Sequence, residues 1–210
     1  MMTENITFLG HATFKIKGSR IIYTDPYMIQ SIEAADIILI THSHFDHCSV
    51  EDITKICSEK TGIIASKDCI DTLNEFPGKV IGLEPDEKTE IGGVPVEAVR
   101  AYNINKSFHP KSSNWNGYLF NLDGVRYYHP GDTDKIPEMD NIQTDIAFLP
   151  VGGTYTMDAK EACEVVKLIN PKVAIPMHYG SIVGSEKDAE TFVECAGGKG
   201  LIIPPEKNNR

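Results

Sequence analysis

Short apolar runs separated by turn residues fill the first forty positions of the chain. Their β-branched and aromatic content predicts strands at residues 5–9, 13–17, 20–24 and 36–40. The last run is almost entirely apolar, which is typical of a strand buried on both faces.

Helices and strands then alternate. Ser49 is expected to cap a helix that reaches about residue 60, and Ser66 a second helix that ends before Pro77. The apolar pattern predicts further strands at 62–65, 80–83, 88–91, 94–101, 118–122, 125–129, 145–149 and 173–176, and helices at 158–169 and 187–195. This order predicts an α/β fold with four layers, an αββα sandwich of two mixed sheets with helices outside. We expect residues 1–210 to form a single domain.

The densest polar cluster follows the buried strand directly. Within residues 41–47 lie four candidate metal ligands, His42, His44, Asp46 and His47. Residues two apart on an extended chain share a side, so His42 and His44 point together, whereas Asp46 and His47 lie where the chain turns into a helix. This spacing favours two adjacent metal ions. Imidazole and carboxylate ligands without a thiolate favour zinc, and iron, manganese or nickel would also fit.

Three later residues are candidates to complete the coordination. His109 lies in a long polar loop, residues 102–116, while Asp132 and His178 each follow a predicted strand. Taken alone, each has an ordinary interpretation as a solvated loop histidine or a turn aspartate. Their repeated position at strand ends makes them candidates.

With these motifs the chain resembles the metallo-β-lactamase superfamily. The resemblance rests on His42-x-His44-x-Asp46-His47 and on the motifs at residues 131–133 and 176–180. Residues 9–14, 24–26 and 152–157 are similar to its small single-domain branch, which includes ascorbate-phosphate lactonase-like and N-acyl-phosphatidylethanolamine phospholipase D-like enzymes. The resemblance spans nearly the whole chain. It implies the metallo-β-lactamase fold and a metal-dependent hydrolase, and it specifies no substrate.

The resemblance also implies a ligand set. His42 and His44 would bind a first metal with a third histidine, and Asp132 would bridge to a second metal. The second metal would be bound by Asp46, His47 and His178.

The chain departs from the family pattern at the third ligand of the first site. In many relatives this histidine follows a strand directly, but here that place holds Ala101-Tyr102-Asn103. Either His109 reaches back from the loop, which we favour, or Asn103 serves as a weaker oxygen ligand.

Two residues are candidates to support the metals. Asp25 would accept a hydrogen bond from a ligating imidazole and fix its orientation, or it is only a turn residue before Pro26. His11 would face the metals, bind a substrate oxyanion, or pack against backbone.

The charge balance limits the partners. Lys and Arg total 20 against 30 acidic residues, which gives a formal net charge of -10. Such a surface argues against nucleic acid and anionic membranes as partners. We expect a small-molecule substrate, and the sequence leaves the oligomeric state open.

The cysteines and the chain start suggest a compartment. Five cysteines form no Cys-x-x-Cys pair and predict reduced thiols rather than a disulfide framework. Because the sequence also shows no leader and no membrane span, we expect a cytoplasmic protein.

No side chain in the sequence is an obvious nucleophile, since the chain has no Gly-x-Ser-x-Gly elbow. We therefore expect a metal-bound hydroxide to attack a carbonyl or phosphoryl centre. Asp46 would orient the hydroxide and carry a proton, and His11 would stabilise the oxyanion. The alternatives are a phosphodiesterase, an iron-dependent redox enzyme on the same fold, and a metal-binding protein without catalysis.

Overall fold

Two six-stranded sheets face each other at the centre of the protein. The structure is a computed structural model that describes residues 2–30 and 33–206. The first sheet contains, in spatial order, β1 (Ile6–Gly10), β2 (Thr13–Lys17), β3 (Ile21–Thr24), β4 (Ile37–Ile40), β5 (Gly62–Ser66) and β6 (Lys79–Leu83). Strands β1 to β3 pair antiparallel, and β3 to β6 pair parallel.

The second sheet is mixed as well. Its strands are β7 (Lys88–Ile91), β8 (Val94–Arg100), β9 (Asn116–Leu122), β10 (Val125–His129), β11 (Ile146–Pro150) and β12 (Val173–Met177). The spatial order is β12-β11-β10-β9-β8-β7, with β10, β11 and β12 parallel and the others antiparallel.

Four helices cover the outer faces of these sheets. They are α1 (Val50–Ile56), α2 (Ile70–Leu73), α3 (Ala159–Ile169) and α4 (Glu186–Ala196). Ile53 of α1 and Leu73 of α2 pack on the first sheet, and α3 and α4 contact β11 and β12 of the second. The predicted αββα sandwich is confirmed.

Alternation along β4 shows why a fully apolar strand was needed there. Ile37 and Leu39 belong to the core between the sheets, whereas Ile38 and Ile40 belong to the cluster under α1 and α2. Successive strand residues point to opposite faces, so both faces of β4 are buried.

Two predicted helix boundaries were wrong. Helix α1 begins after the Ser49 cap but ends at Ile56, because Cys57 is already extended and Thr61 ties the following turn back to the Ala35 carbonyl. Ser66 makes no cap bond. Its hydroxyl donates instead to the carbonyl of Thr41 at 2.5 Å, and the chain enters α2 through a short 3-10 turn.

The prediction of five reduced cysteines was wrong for two of them. Cys163 of α3 and Cys195 of α4 form a disulfide, while Cys48, Cys57 and Cys69 are free. The two residues are 32 positions apart, and only the packing of α3 against α4 brings them together. The disulfide removes one of the grounds for the cytoplasmic prediction.

Within the described residues, no helix has both the length and the apolar character needed to cross a membrane.

One edge of the sandwich collects the polar motifs. The segments that follow β1, β3, β4, β10 and β12 carry His11, Asp25, residues 41–47, Asp132 and His178. Because parallel strands end at the same edge of a sheet, the strand topology is sufficient to bring these motifs together.

Candidate metal centre

Three residues of this edge adopt left-handed backbone conformations. The φ angles are 52° at His11, 37° at Asp25 and 58° at His178. Residues with a Cβ rarely adopt such angles, and they persist where the surroundings fix them. Here the His178 N–H donates to the His11 carbonyl at 2.6 Å, which joins the ends of β1 and β12 across the two sheets.

Asp25 holds the start of the histidine motif. Its Oδ1 accepts the Thr41 N–H at 2.8 Å, and its Oδ2 accepts the Thr41 hydroxyl at 2.7 Å. The same Oδ2 lies 2.8 Å from Nδ1 of His47. The His47 ring is therefore fixed through Nδ1, and its Nε2 faces the centre, 3.4 Å from Oδ1 of Asp132.

A glycine permits Asp132 to reach this position. Gly131 has a φ of +64°, and a Cβ there would lie 2.8 Å from Cβ of Thr41 and 2.9 Å from the Asn116 carbonyl oxygen. Only a residue without a side chain allows the backbone to approach Thr41 so closely.

The first ligand group contains three histidines. The ring nitrogens of His42, His44 and His109 that could bind a metal lie within 4.8 Å of one another. Two residues were candidates for the third ligand of this group. His109 belongs to the group, whereas Asn103 does not and contacts His109 instead. Oδ1 of Asn103 accepts the His109 N–H at 3.0 Å and lies 3.1 Å from the His109 Nδ1, so the ring presents Nε2 to the centre.

The second ligand group lies beside the first. His11, Asp46, His47 and His178 each place one ligand atom within 4.8 Å of the others. Nε2 of His11 is 2.9 Å from Oδ2 of Asp46, and the His11 ring centroid is 4.1 Å from that of His178. His11 thus faces the centre instead of packing against backbone.

Asp132 connects the two groups. Its Oδ2 is 3.2 Å from Nε2 of His109 and 3.0 Å from Nε2 of His178, and its Oδ1 faces His47. A carboxylate between two groups of imidazoles has the placement required of a bridging ligand.

Several buried ligand atoms at this centre have no hydrogen-bond partner of acceptable geometry. They include Nε2 of His47, His109 and His178, and Oδ1 of Asp132. A buried polar atom left unpaired costs about 1–3 kcal/mol, so an uncompensated cluster of them would be strongly destabilising. The convergence of these nitrogen and carboxylate donors fits divalent transition-metal ions.

The electrostatics separate the ligands into charged and neutral forms. Burial lowers the pKa of His42 well below its ordinary value, so its imidazole is neutral. Burial raises the pKa of Asp132, but the nearby His178 and His47 outweigh it and hold that pKa well below the usual range.

His47 differs from the other histidines. Burial lowers its pKa, yet Asp132 and Asp25 together outweigh the burial and raise it well above the ordinary value. The raised pKa favours the protonated form of His47, and a metal ion bound at Nε2 would have to displace that proton.

Comparison with known proteins identifies the family. The model of the β-lactamase superfamily domain matches residues 5–178. A UPF0173 metal-dependent hydrolase of Thermococcus onnurineus is 37% identical over 215 residues, covering 94% of each chain. Another of Thermoplasma acidophilum is 34% identical over 218 residues, covering 96% of each. The chain belongs to the UPF0173 metal-dependent hydrolases.

Solved structures agree on the fold of this UPF0173 hydrolase. A Parabacteroides distasonis protein, provisionally named a metal-dependent hydrolase, is 34% identical with a TM-score of 0.79 and covers 91% of this chain and 89% of its own. Igni18, a metallo hydrolase from Ignicoccus hospitalis, is 24% identical with a TM-score of 0.75, and the match covers 94% of this chain and 92% of Igni18. At this identity the comparison supports the fold and nothing further. The chain therefore has the metallo-β-lactamase fold. As a member of the UPF0173 family it is a metal-dependent hydrolase.

The sequence did not predict some contacts within the candidate site of this UPF0173 hydrolase. Thr41 contacts both Asp25 and Nδ1 of His42, the latter at 3.0 Å, and the Tyr155 carbonyl oxygen lies 3.2 Å from Nδ1 of His109. A backbone carbonyl leaves no signal in residue types. Thr41 could have been recognised only by its place directly before His42.

Proposed function

We propose that this protein is a zinc hydrolase with two metal ions. His42, His44 and His109 would hold the first ion, and Asp132 would bridge to the second. Asp46, His47 and His178 would hold the second ion. The observation that carries the proposal is the pair of converging ligand groups joined by Asp132, with buried ligand atoms left unpaired.

Zinc supplies what the side chains lack, because it lowers the pKa of water to about 7 and polarises a carbonyl or phosphoryl oxygen. The protein supplies the proton transfer. The Asp46 side chain is 12% exposed, whereas the other carboxylate of the centre, Asp132, is 3% exposed. Asp46 is therefore the more accessible of these two carboxylates, and it would take a proton and pass it to the leaving group.

His11 acts through Asp46. Its Nε2 lies 2.9 Å from Oδ2 of Asp46, and burial, the largest influence, lowers its pKa despite that contact. A neutral imidazole that donates from Nε2 holds the carboxylate in place. The contact supports a positioning role for His11 over direct contact with a substrate oxyanion.

The proposal is tested by hydrolysis with the zinc-loaded protein. A panel of esters, lactones, thioesters and phosphodiesters is offered to the native chain, to Asp132→Ala and to His178→Ala, with the exposed Asp140→Ala as the control. We expect Asp132→Ala and His178→Ala to lose metal-dependent hydrolysis and Asp140→Ala to keep it. Full activity in Asp132→Ala contradicts the proposal, and iron in place of zinc in protein purified from its host would favour the redox alternative.

A further inference from the structure

Most of the exposed large apolar side chains lie close in sequence to residues of the metal centre. Among the described residues, eight large hydrophobic side chains are exposed, and six of them lie within four sequence positions of a residue of the centre, counting Asp25 and Asn103. These six, which we call the apolar collar, are Met28, Phe45, Val50, Ile104, Phe108 and Ile182. Exposed apolar groups gathered at one place mark a surface that contacts something apolar.

Two collar residues directly adjoin candidate metal ligands in the sequence. Phe45 lies between His44 and Asp46 in sequence, and its side chain is 69% exposed. Phe108 directly precedes His109 and meets the Tyr155 ring edge-on at 4.7 Å between centroids. Phe45 and Phe108 therefore each adjoin a candidate metal ligand in the sequence.

A cavity lies next to the centre on the other side of His11. It has a volume of about 380 Å³. Its apolar lining comes from Phe8, Tyr179, Ala189 and Ile202. The C-terminal segment borders it along β1, where the Glu206 N–H donates to the Phe8 carbonyl at 2.9 Å. Since His11 also contacts Asp46, one residue separates the cavity from the proton-carrying carboxylate.

The charges that line the cavity disfavour an anion inside it. Glu186 and Glu190 line the cavity, and no lysine or arginine of the described residues does. The two lysines near the His109 loop are already paired, Lys106 with Asp134 at 2.5 Å and Lys111 with Glu138 at 2.9 Å. A phosphate or carboxylate group inside the cavity would meet like charge from Glu186 and Glu190, without a lysine or arginine in the lining to compensate it.

We propose that the substrate carries an uncharged apolar chain, and that this chain occupies the cavity beside His11. This rests on the proposed function, and it names the substrate class of the same site. With a carboxylic ester of this kind as the probe, the oxygen of water bonds to the acyl carbon, the acyl C–O bond breaks, and its electron pair goes to the alcohol oxygen. One proton of the water goes to that oxygen, and the other goes to solvent as the acid ionises.

Binding tests the cavity without turnover. The ligands are 1-octanol, octyltrimethylammonium and octyl sulfate, which share one chain and differ in head group charge, measured by calorimetry on the full chain. We expect the neutral and cationic ligands to bind at least tenfold more tightly than octyl sulfate. Equal or tighter binding of octyl sulfate overturns the proposal.

Two variants locate that binding. Ala189→Phe fills the cavity and should weaken octanol binding at least tenfold, whereas Leu168→Phe, on the exposed face of α3, should not change it. Glu190→Lys lies at an exposed position and keeps the test independent of core packing. It should shift the preference toward octyl sulfate. Unchanged octanol affinity in Ala189→Phe together with an unchanged preference in Glu190→Lys overturns the assignment.

Hydrolysis then distinguishes this inference from the proposed function. For the zinc-loaded protein, kcat/KM should rise from acetyl to octanoyl esters by about two- to fourfold per buried methylene. Ala189→Phe should flatten this dependence, and Leu168→Phe should preserve it. Metal-dependent hydrolysis with no chain-length dependence overturns the inference alone. Selective binding without hydrolysis of any compound in the panel overturns the proposed function and, with it, the substrate class.

Discussion

Oδ2 of Asp25 lies 2.8 Å from Nδ1 of His47, and both side chains are completely buried. The contact fixes the His47 ring so that Nε2 faces Asp132. The same carboxylate holds the backbone and hydroxyl of Thr41, so one residue positions both ends of the histidine motif.

Asp25→Asn tests this relationship. The amide keeps the shape but loses the charge that favours the His47 orientation, and loss of such a supporting hydrogen bond weakens metal binding by about 10–100-fold. Zinc titration against a chelator should show this loss at the second site. Asp145→Asn, which changes a partly exposed carboxylate that accepts the Arg126 N–H, should bind zinc as the native chain does. Equal affinities in both variants would show that Asp25 does not orient His47.

Asn103 should matter only to the first site. Its Oδ1 contacts the N–H and Nδ1 of His109, so Asn103→Ala leaves that ring free to turn away. We expect first-site zinc affinity to fall by about 10–100-fold with the second site retained. The control is Asn121→Ala, at an exposed hairpin where the side chain accepts the Gly124 N–H. A loss of both sites in Asn103→Ala would contradict the separate roles of the two groups.

The metal-free protein should lose stability between about pH 6.5 and pH 5. Burial lowers the pKa of His129, whose Nε2 lies 2.9 Å from the Ala12 carbonyl oxygen and whose Nδ1 accepts the Gly131 N–H. Burial likewise lowers the pKa of His11, His42 and His44. Below about pH 6.5, the ordinary histidine value, the unfolded chain therefore binds more protons than the folded one. The free energy of unfolding consequently decreases as the pH is lowered.

His47 has the opposite sign but a different window. Its raised pKa contributes stability that is complete below about pH 6.5 and is lost as pH rises through its folded value. It therefore adds no slope below pH 6.5. Urea unfolding at several pH values measures the effect, and His129→Gln should reduce the acid slope. Equal stability at pH 5 and pH 6.5 would rule out neutral buried histidines.

The disulfide between α3 and α4 predicts how many cysteine thiols react before and after reduction. Denatured, unreduced protein should show three reactive thiols, the number of free cysteines, and five after reduction. Closure over a separation of 32 residues should stabilise the chain by about 3–4 kcal/mol. Cys195→Ser should therefore unfold at lower urea concentration, whereas Cys57→Ser should not. Five reactive thiols before reduction would show that the bond is absent.

Local pattern was sufficient for most of the fold. The apolar run of β4 and the alternation in its neighbours depend on which faces are buried, and that information is present in residue order. The end of α1 and the role of Ser66 were missed, because Thr61 and Ser66 make bonds to distant carbonyls, those of Ala35 and Thr41.

Some residues of the candidate site were predictable from local sequence, and others depended on tertiary contacts. His42, His44, Asp46 and His47 are adjacent in sequence, so their spacing alone predicted a cluster. The choice between His109 and Asn103 depended on the path of a long loop, which is set by bonds to Asp134 and the Tyr155 carbonyl. Such tertiary bonds have no sequence period, so both alternatives stayed open.

Metal content measured by mass spectrometry on zinc-reconstituted, dialysed protein tests the central claim most directly. We predict two zinc ions per native chain and about one in each of His109→Ala and His178→Ala, because each substitution removes a ligand from a different group. The exposed Asp140→Ala should retain two. Two ions in all three variants, or none in the native chain, would contradict a centre built from these two groups.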